Sequence, residues 1–287
     1  MDRICGMFTA PLPLPGSAPA RSARHLLLRK LAQFAALPDD QKLALDRALS
    51  ARVQSVGRGI PIIEAGEAPA DIFVVLEGWA CSVRPTIEGR PPIIALHLPG
   101  DICDLGALMK RHMDCTIYAL TPVKVAALGR SAVARLTRDH PQCAQALWWE
   151  SMCAAAIRGQ WVARLGNGSA KARIANLLCE LATRLYVVGL ADDGGFDLPI
   201  TQTDIGLSCG LTPEHTNRVL RDLREKGAIA WEKGRLAMLD WDILRSAASF
   251  DARYLHFRDL KTGDVEEPSE AAGSMMVRPV SQETVAI

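Results

Sequence analysis

The spacing of hydrophobic residues changes twice along the chain and divides it into helical and strand-rich segments. Between residues 24 and 52 the apolar residues recur at helical intervals, and Pro38 ends one helix before a second opens. From residue 53 to residue 129 short β-branched runs alternate with glycines, which is the pattern of strands joined by tight turns. We therefore predict an α+β chain that begins with an antiparallel β-roll domain at residues 25–140.

Helical spacing returns at Pro141 and continues to residue 166. Pro141 suits a first helical turn, and neither Pro nor Gly follows before Gly159. About 25 residues span roughly 37 Å, and apolar residues cover more than one face. One face can lie on the roll and the other on a second copy of the chain, whereas a helix buried inside one chain is the alternative. The two stripes consist of Ala144, Trp148, Ser151, Ala155, Val162 and Leu165, and of Cys143, Leu147, Ala154, Ile157 and Trp161.

Residues 198–239 contain the most specific pattern of the chain, LPITQTDIGLSCGLTPEHTNRVLRDLREKGAIAWEKGRLAML. Thr201, with Asp204 three residues later, resembles a capping box in which Asp replaces the usual Glu or Gln. The helix that it opens runs to about Cys209, and Gly210 stands where a left-handed residue ends a helix. The pattern predicts a short helix followed at once by a tight turn.

A second helix follows this turn. Thr212 can cap it, Pro213 fits its first turn, and Glu214 favours its positive end. Gly206 removes a side chain where this helix would cross the first one closely, which is the geometry of a helix-turn-helix. The run AIAWEKGRLAML then predicts a two-stranded wing. We divide the rest of the chain into a DNA-binding domain at residues 167–248 and a mobile tail at residues 249–287.

The second helix would present polar and basic side chains to solvent. Arg218 can bond bidentately to a guanine edge, and Glu214 can accept from cytosine N4. Both lie in the half of the helix that enters the major groove in this motif. A solvated face on an ordinary helical hairpin is the alternative, but the caps, turn, basic helix and wing together favour DNA. The residues expected at or near the DNA backbone are Gln202, Thr203, Thr212, His215 and Arg221.

The composition narrows the function classes. The 287 residues carry 33 Lys+Arg against 32 Asp+Glu, so a nucleic-acid contact must come from a local arrangement. The apolar runs are too short for the ~20 residues of a membrane helix. Residues 1–24, rich in Pro, Ala and Ser, predict a flexible arm and not a signal peptide. Without a secretory signal, the scattered cysteines are most simply reduced thiols, so we expect a cytoplasmic protein. Because no nucleophile, base and orienting group can be assembled, we do not expect an enzyme.

The order of β-roll, long helix and winged helix-turn-helix resembles the Crp/Fnr family of bacterial transcription regulators. The resemblance covers residues 26–244 and is strongest in TPEHTNRVLRDL, which is similar to that family's recognition helix. It implies that Glu214 and Arg218 read base edges and that Asn217 tunes the site preference. It also implies a homodimer through helix 141–166, contact with RNA polymerase, and near-palindromic double-stranded DNA sites whose half-sites lie ~34 Å apart.

The resemblance places an effector pocket in the roll at Asp104, Leu105, Cys115 and Thr116. In cyclic-nucleotide-binding members a Gly-Glu pair and an Arg-Ser or Arg-Thr pair stand there, and the Arg holds the cyclic phosphate. Cys115 leaves a phosphate without that bidentate partner, and Lys110 in the loop is a weak substitute. We therefore expect that cyclic AMP does not control this chain.

The cysteines indicate no cofactor. Only Cys5 lies in the N-terminal arm, where an iron–sulfur oxygen sensor of the Fnr type needs a cluster of thiolates. Cys103, His112 and Cys115 have no standard ligand spacing, so we predict no metal site. Cys209, inside the helix-turn-helix, is a candidate redox residue, although an inert buried thiol is the more common role of such a position.

These patterns predict a dimeric, DNA-binding transcription regulator of the Crp/Fnr type that works without cyclic AMP. Members of that family are mostly activators, but the sequence itself does not distinguish an activator from a repressor. The alternative is a small-molecule-binding regulatory protein, for a cyclic nucleotide or a similar ligand, that acts through protein contacts and not on DNA.

Overall fold

The computed structural model describes residues 24–86, 91–192 and 194–258. The N-terminal part begins with two helices separated at Pro38, as the break in the hydrophobic pattern predicts. Its elements in chain order are α1 (Arg24–Leu31), α2 (Asp39–Ala51), β1 (Val53–Val56), β2 (Pro61–Ile63), β3 (Asp71–Glu77), β4 (Ala80–Val83), β5 (Ile93–His97), a 3-10 helix (Leu105–Met109), β6 (Thr116–Ala119), β7 (Val123–Gly129) and α3 (Arg130–Asp139).

The strands of this part form two antiparallel sheets that pack into a β-roll. One sheet has the order β1-β7-β3, and the other has the order β2-β6-β4-β5. Their buried side chains enclose a core that also takes in Leu27 and Leu31 of α1 and Leu45 and Leu49 of α2. Burial of these apolar side chains therefore attaches both N-terminal helices to the roll. The predicted antiparallel roll is confirmed.

A long helix connects the roll to a C-terminal domain, which we call the head. The helix α4 (Pro141–Asn167) starts at Pro141 and ends one residue beyond the predicted limit. The elements of the head are α5 (Ala170–Val188), β8 (Ala191–Asp192), β9 (Gly195–Asp197), α6 (Gln202–Cys209), α7 (Pro213–Glu225), β10 (Ile229–Glu232), β11 (Arg235–Met238), α8 (Trp241–Ala248) and a second 3-10 helix (Ala252–Leu255). Across the described ranges, the helices lack the combination of length and apolarity needed to span a membrane.

The two apolar stripes of α4 lie in different environments. Cys143, Leu147 and Trp161, from the second predicted stripe, are buried inside the chain. Trp148 and Val162, from the first stripe, are 71% and 70% exposed. Helix α4 is therefore an internal packing helix on one side and carries an exposed apolar face on the other.

The hydrophobic core of the head is continuous with the roll. Trp79, Cys81 and Leu96 of the sheet that contains β4 and β5 belong to the same buried cluster as Ile174 and Leu178 of α5. A head attached only through the end of α4 would not share a core with the roll. In this structure the head is therefore docked on the roll.

The predicted boundary of the mobile tail was wrong. We placed the tail at residues 249–287, but residues 249–258 are packed against the rest of the chain. Leu255 and Phe257 are buried, and the ring of Phe257 stacks on Phe34 at a centroid distance of 6.0 Å. Sequence spacing failed here because these residues are anchored by distant partners and not by a local repeat. The rest of that predicted tail, and the predicted arm before residue 24, lie outside the described residues.

Candidate nucleic-acid interface

The first helix of the predicted helix-turn-helix is fixed at both ends by the expected residues. The Thr201 hydroxyl accepts from the backbone N–H of Asp204 at 3.2 Å, and a carboxylate oxygen of Asp204 accepts from the backbone N–H of Thr201 at 2.8 Å. The capping box is complete although Asp replaces Glu. Gly210 ends α6 with φ +62°, in the left-handed region that glycine adopts without steric cost.

The two helices cross where the sequence places Gly206. A Cβ on this residue would lie 2.7 Å from Oγ1 of Thr216 in α7 and 3.1 Å from the carbonyl oxygen of Leu211 in the turn. Thr216 is fully buried at this crossing, and its hydroxyl donates to the carbonyl oxygen of Thr212 at 2.9 Å. The helix-turn-helix geometry therefore requires glycine at this position.

Helix α7 separates its apolar and polar residues sharply. Val219, Leu220 and Leu223 are buried with Thr216 against the rest of the head. The predicted base-reading residues Glu214, Asn217 and Arg218 are all exposed, as are Arg221 and Arg224. Residues 214, 217, 218 and 221 follow intervals of three, four and seven, which place them along one face over roughly 10 Å of helix. We call this face the polar strip: Glu214, Asn217, Arg218 and Arg221.

The two arginines of the polar strip are not engaged by the described part of the chain. Among the described residues, Arg218 and Arg221 have neither a hydrogen-bond nor an ion-pair partner. Asp222, one residue further along, is instead paired with Lys171 at 2.8 Å and Lys226 at 3.0 Å. The acid that follows the strip is therefore neutralised, while the strip's own guanidinium groups remain available to a partner.

The helix N-terminus keeps the acid of the strip ionised. Glu214 lies in the first turn of α7, where its own backbone N–H and then the Thr212 hydroxyl lower the pKa of its carboxyl. An ionised carboxylate can only accept hydrogen bonds, which suits an amino group on a base edge. Thr212 also caps the helix by accepting from the backbone N–H of His215 at 3.3 Å.

The residues expected at the DNA backbone lie on the adjoining ends of the two helices. Gln202 and Thr203 are half-buried in the first turn of α6, and Thr212 is exposed at the N-cap of α7. His215 is half-buried beside them. The positive end of a helix dipole attracts phosphate oxygens, and the N-terminal ends of α6 and α7 both lie in this region. The structure thus places all of the predicted DNA-contact residues on the α6–α7 unit.

Lys233 in the wing is a cation near the site that was not predicted as a site residue from the sequence. β10 and β11 pair through a two-residue turn, with Lys233 at φ +50° and Gly234 at φ +80°. Lys233 is exposed at the tip and, with Gln202 and Arg224, lines a hollow of about 420 Å³ beside the start of α6. The Lys-Gly dipeptide predicted the turn, but the fold was needed to bring the wing beside α6.

The four predicted effector-pocket residues include no cation, and the structure buries or half-buries each of them. Cys115 and Thr116 are buried, and Asp104 and Leu105 are half-buried. Burial and then the charge of Asp114 raise the pKa of the Cys115 thiol, which keeps it neutral. The Thr116 hydroxyl accepts from the backbone N–H of Ala65 at 3.0 Å.

Lys110, the loop cation considered as a substitute for the arginine, is already engaged in ion pairs. Nζ of Lys110 lies 2.6 Å from the carboxylate of Asp104 and 2.7 Å from that of Asp114. Asp114 also pairs with Arg84 at 2.8 Å. These ion pairs leave Lys110 occupied at the place where a phosphate would need a free positive charge.

The described cysteines are buried thiols. Burial raises the pKa of Cys209 to about 12, so this residue lacks the thiolate that oxidation requires and the structure does not favour the redox role. Cys103, His112 and Cys115 do not form a metal-binding group, since the described part of the chain contains no cluster of His, Cys, Asp or Glu suited to a metal ion. Cys5 lies outside the described residues.

Comparison with known sequences matches both halves of this arrangement. The sequence model of the Crp-like helix-turn-helix domain matches residues 172–247, and that of the cyclic nucleotide-binding domain matches residues 53–140. The chain is 26% identical over 203 residues to the transcriptional activator protein FnrL of Cereibacter sphaeroides, which covers 69% of this chain and 81% of that protein. It is also 26% identical to the nitrogen fixation regulation protein FixK of Bradyrhizobium diazoefficiens, with 69% and 84% covered.

Two solved structures are also similar to this chain over more than two thirds of its length. The structure of FixK2 from Bradyrhizobium japonicum is similar with a TM-score of 0.63 at 25% identity, covering 71% of this chain and all of that one. A Crp-family transcriptional regulator from Thermus thermophilus is similar with a TM-score of 0.54 at 26% identity, covering 69% and 97%.

The fold and the matched domains define a transcription regulator with a DNA-binding helix-turn-helix head and a cyclic-nucleotide-binding-like roll. The chain belongs to the Crp/Fnr family.

The close helix crossing gives a testable prediction for Gly206→Ala. The new methyl group would meet Thr216 and a backbone carbonyl, so we expect the substitution to lower the free energy of unfolding by about 1–3 kcal/mol, as overpacking usually does. Urea unfolding followed by circular dichroism measures this change. Gly57→Ala is the control, because a Cβ there meets only Ile60 at an ordinary 3.7 Å. Equal stability of the two variants would contradict the close crossing.

Proposed function

We propose that this regulator binds specific double-stranded DNA sites by inserting the N-terminal half of α7 into the major groove. The observation that carries the proposal is the polar strip. It is exposed, its two guanidinium groups have no partner among the described residues, and it stands on a helix fixed by caps and a close crossing. Arg218 suits guanine O6 and N7, Glu214 suits cytosine N4, and Asn217 lies between them.

The surrounding residues suit backbone contacts. Gln202, Thr203 and Thr212 lie at helix N-termini, and Arg221 continues the strip along α7. Lys233 reaches out from the wing tip beside them. Such contacts carry no sequence information but fix the register and orientation of a recognition helix on the duplex. Since the whole chain is nearly neutral, this local set supplies the attraction, and binding should weaken steeply with salt.

We further propose that two copies of the chain pair through the exposed face of α4. The exposed residues on this face alternate in steps of three and four, which is the spacing of a coiled-coil seam. Its centre is lined by small side chains that allow a close approach of two helices. The seam consists of Gln145, Trp148, Met152, Ala155, Gly159, Val162 and Gly166, all of them exposed. A twofold axis along α4 would present two polar strips to a near-palindromic site with half-sites ~34 Å apart.

The roll, in our proposal, does not respond to cyclic AMP. A cyclic phosphate in the family's pocket needs a guanidinium where this chain has the buried, neutral thiol of Cys115. Lys110 would have to leave both Asp104 and Asp114 to replace it. By analogy with its relative FnrL, which is a transcriptional activator by name, we propose that the chain activates transcription, through contact with RNA polymerase.

Base reading predicts the effect of Arg218→Ala. Loss of one bidentate pair should weaken binding to the cognate site by about 1–3 kcal/mol and relax the preference at a single base pair of each half-site. Selection of bound sequences from random duplexes, followed by fluorescence anisotropy on the recovered site, measures both effects. Arg138→Ala is the control, because Arg138 is an exposed arginine on α3 of the roll that pairs with its neighbour Asp139. Equal affinity of the parent protein for all duplexes would contradict the assignment.

The proposed pairing predicts the effect of Met152→Glu. Two carboxylates would face each other in the seam, so we expect the variant to be monomeric and to lose most of its affinity for a two-half-site duplex. Analytical ultracentrifugation and anisotropy measure the two effects. Leu43→Glu is the matched control, since Leu43 is an equally exposed apolar residue on α2 of the roll. A dimeric Met152→Glu protein would place the interface elsewhere.

A further inference from the structure

A carboxylate in the roll connects the N-terminal helix to the head. Asp101 follows β5 and is buried. Its Oδ1 atom lies 2.5 Å from Nζ of Lys30 in α1, and its Oδ2 atom accepts from Nη2 of Arg184 in α5 at 2.6 Å. The backbone N–H of Leu98 also donates to Oδ2, at 2.7 Å, and holds the carboxylate in place. One side chain of the roll therefore holds a cation from each of two other parts of the chain.

Two more carboxylates extend this contact to the long helix and within the head. Nζ of Lys30 also lies 2.6 Å from the carboxylate of Glu150, which is buried in α4. Nη1 of Arg184 donates to Glu180 at 3.0 Å, and its Nη2 donates to the carbonyl oxygen of Leu96 at 3.0 Å. We call these buried charged residues the junction cluster: Lys30, Asp101, Glu150, Glu180 and Arg184.

Glu180 connects the cluster to a second residue of α4 and to the second 3-10 helix. Its Oε2 atom accepts from Nε1 of Trp161 in α4 at 2.9 Å and from the hydroxyl of Tyr254 in the second 3-10 helix at 3.0 Å. The second 3-10 helix (Ala252–Leu255) thus contacts the same cluster. The junction cluster connects the roll, α1, the dimer-facing helix α4 and the head through charged groups that are shielded from water.

The hydrogen-bonded ion pairs of the cluster depend on the orientation of their partners, whereas the hydrophobic effect around them does not. Burial alone would raise the pKa of Asp101, but the charges of Lys30 and Arg184 lower it below its usual range and keep the carboxylate ionised. The hydrophobic effect is non-directional, but a guanidinium and a carboxylate bond well only in a narrow range of geometries. The apolar core therefore attaches the head to the roll, and the ion pairs select its orientation.

The cluster is also incompletely satisfied. Oε2 of Glu150 and Nε of Arg184 are buried and have no hydrogen-bond partner among the described residues. Two cations also face three carboxylates. A buried polar network with unused bonding capacity is a poor device for stability alone, since well-packed apolar residues often serve that purpose better.

We propose that Asp101 and Arg184 are positioning residues that set the orientation of the head relative to the roll and α4, and thereby the half-site spacing that a dimer recognises. Only the part of this inference that concerns half-site spacing rests on the proposed DNA binding. The orientation of the head is a property of the protein alone and can be measured without DNA.

The test compares Asp101→Asn and Arg184→Lys with the parent protein. Arg184→Lys keeps the charge but loses the planar guanidinium, whose two Nη atoms donate to Asp101, Glu180 and the carbonyl oxygen of Leu96. The control is Asp71→Asn, which breaks an Arg–Asp pair with Arg52 at 2.7 Å that lies entirely within the roll. Thermal unfolding followed by circular dichroism first establishes that each variant folds cooperatively.

The orientation is measured by pulsed electron resonance between spin labels on non-natural residues at the exposed positions Arg58 in the roll and Glu232 in the wing. Labelled protein is diluted with unlabelled protein so that only distances within one chain count. We expect one narrow distance distribution for the parent and for Asp71→Asn, and a broadened or second distribution for the two junction variants. An unchanged distribution in the junction variants overturns the proposal, even if their melting temperatures fall. If Asp101→Asn does not fold, Arg184→Lys decides by the same criterion.

Half-site spacing is the second readout. The parent should bind the cognate duplex more tightly than duplexes whose half-sites are moved closer or further apart by one base pair. In the junction variants the ratio of these two affinities should fall by about fivefold or more. Discrimination equal to the parent's would contradict the positioning role. If the parent binds none of the duplexes, the proposed DNA binding fails, and the label distances still decide whether the cluster orients the head.

Discussion

The close crossing of α6 and α7 is the constraint on which the functional surface depends. Gly206 has no side chain, so Thr216 can lie against α6 and the turn can close through Gly210 in the left-handed region. If the two helices were held further apart, Val219 and Leu223 would lose part of their buried environment. The polar strip points to solvent because the opposite face of α7 is locked in this crossing.

The head and the sensor-like roll are less independent than a two-domain chain suggests. They share a hydrophobic core, and the junction cluster adds charged contacts at the same boundary. The seam of α4 lies on the other side of the helix from these contacts. Asp101 of the roll is therefore connected directly to Arg184 in the head and, through Lys30, to Glu150 in α4.

Local rules made the α6–α7 unit predictable from the sequence. Caps, a turn glycine and a small residue at a crossing act within about 16 residues, and the structure contains each of them where the sequence placed it. The same rules gave the roll, the wing and the two faces of α4. The packing of Leu255, the buried Asp101–Arg184 pair and the approach of Lys233 to α6 were not predictable, because each joins residues far apart in the chain. A charged residue in a sequence gives no sign that it will be buried until its partner is known.

The central claim, that the polar strip faces bases, is tested most directly by site-specific crosslinking. A photoreactive amino acid is placed at Asn217, in the strip, or at Glu225, which is exposed at the far end of the same helix. Each protein is irradiated on a bound duplex, and the crosslinked nucleotide is mapped. The account predicts crosslinks from position 217 to nucleobases inside each half-site and none to bases from position 225. Crosslinks to bases from position 225, or none from position 217 on a duplex shown to be bound, would contradict it.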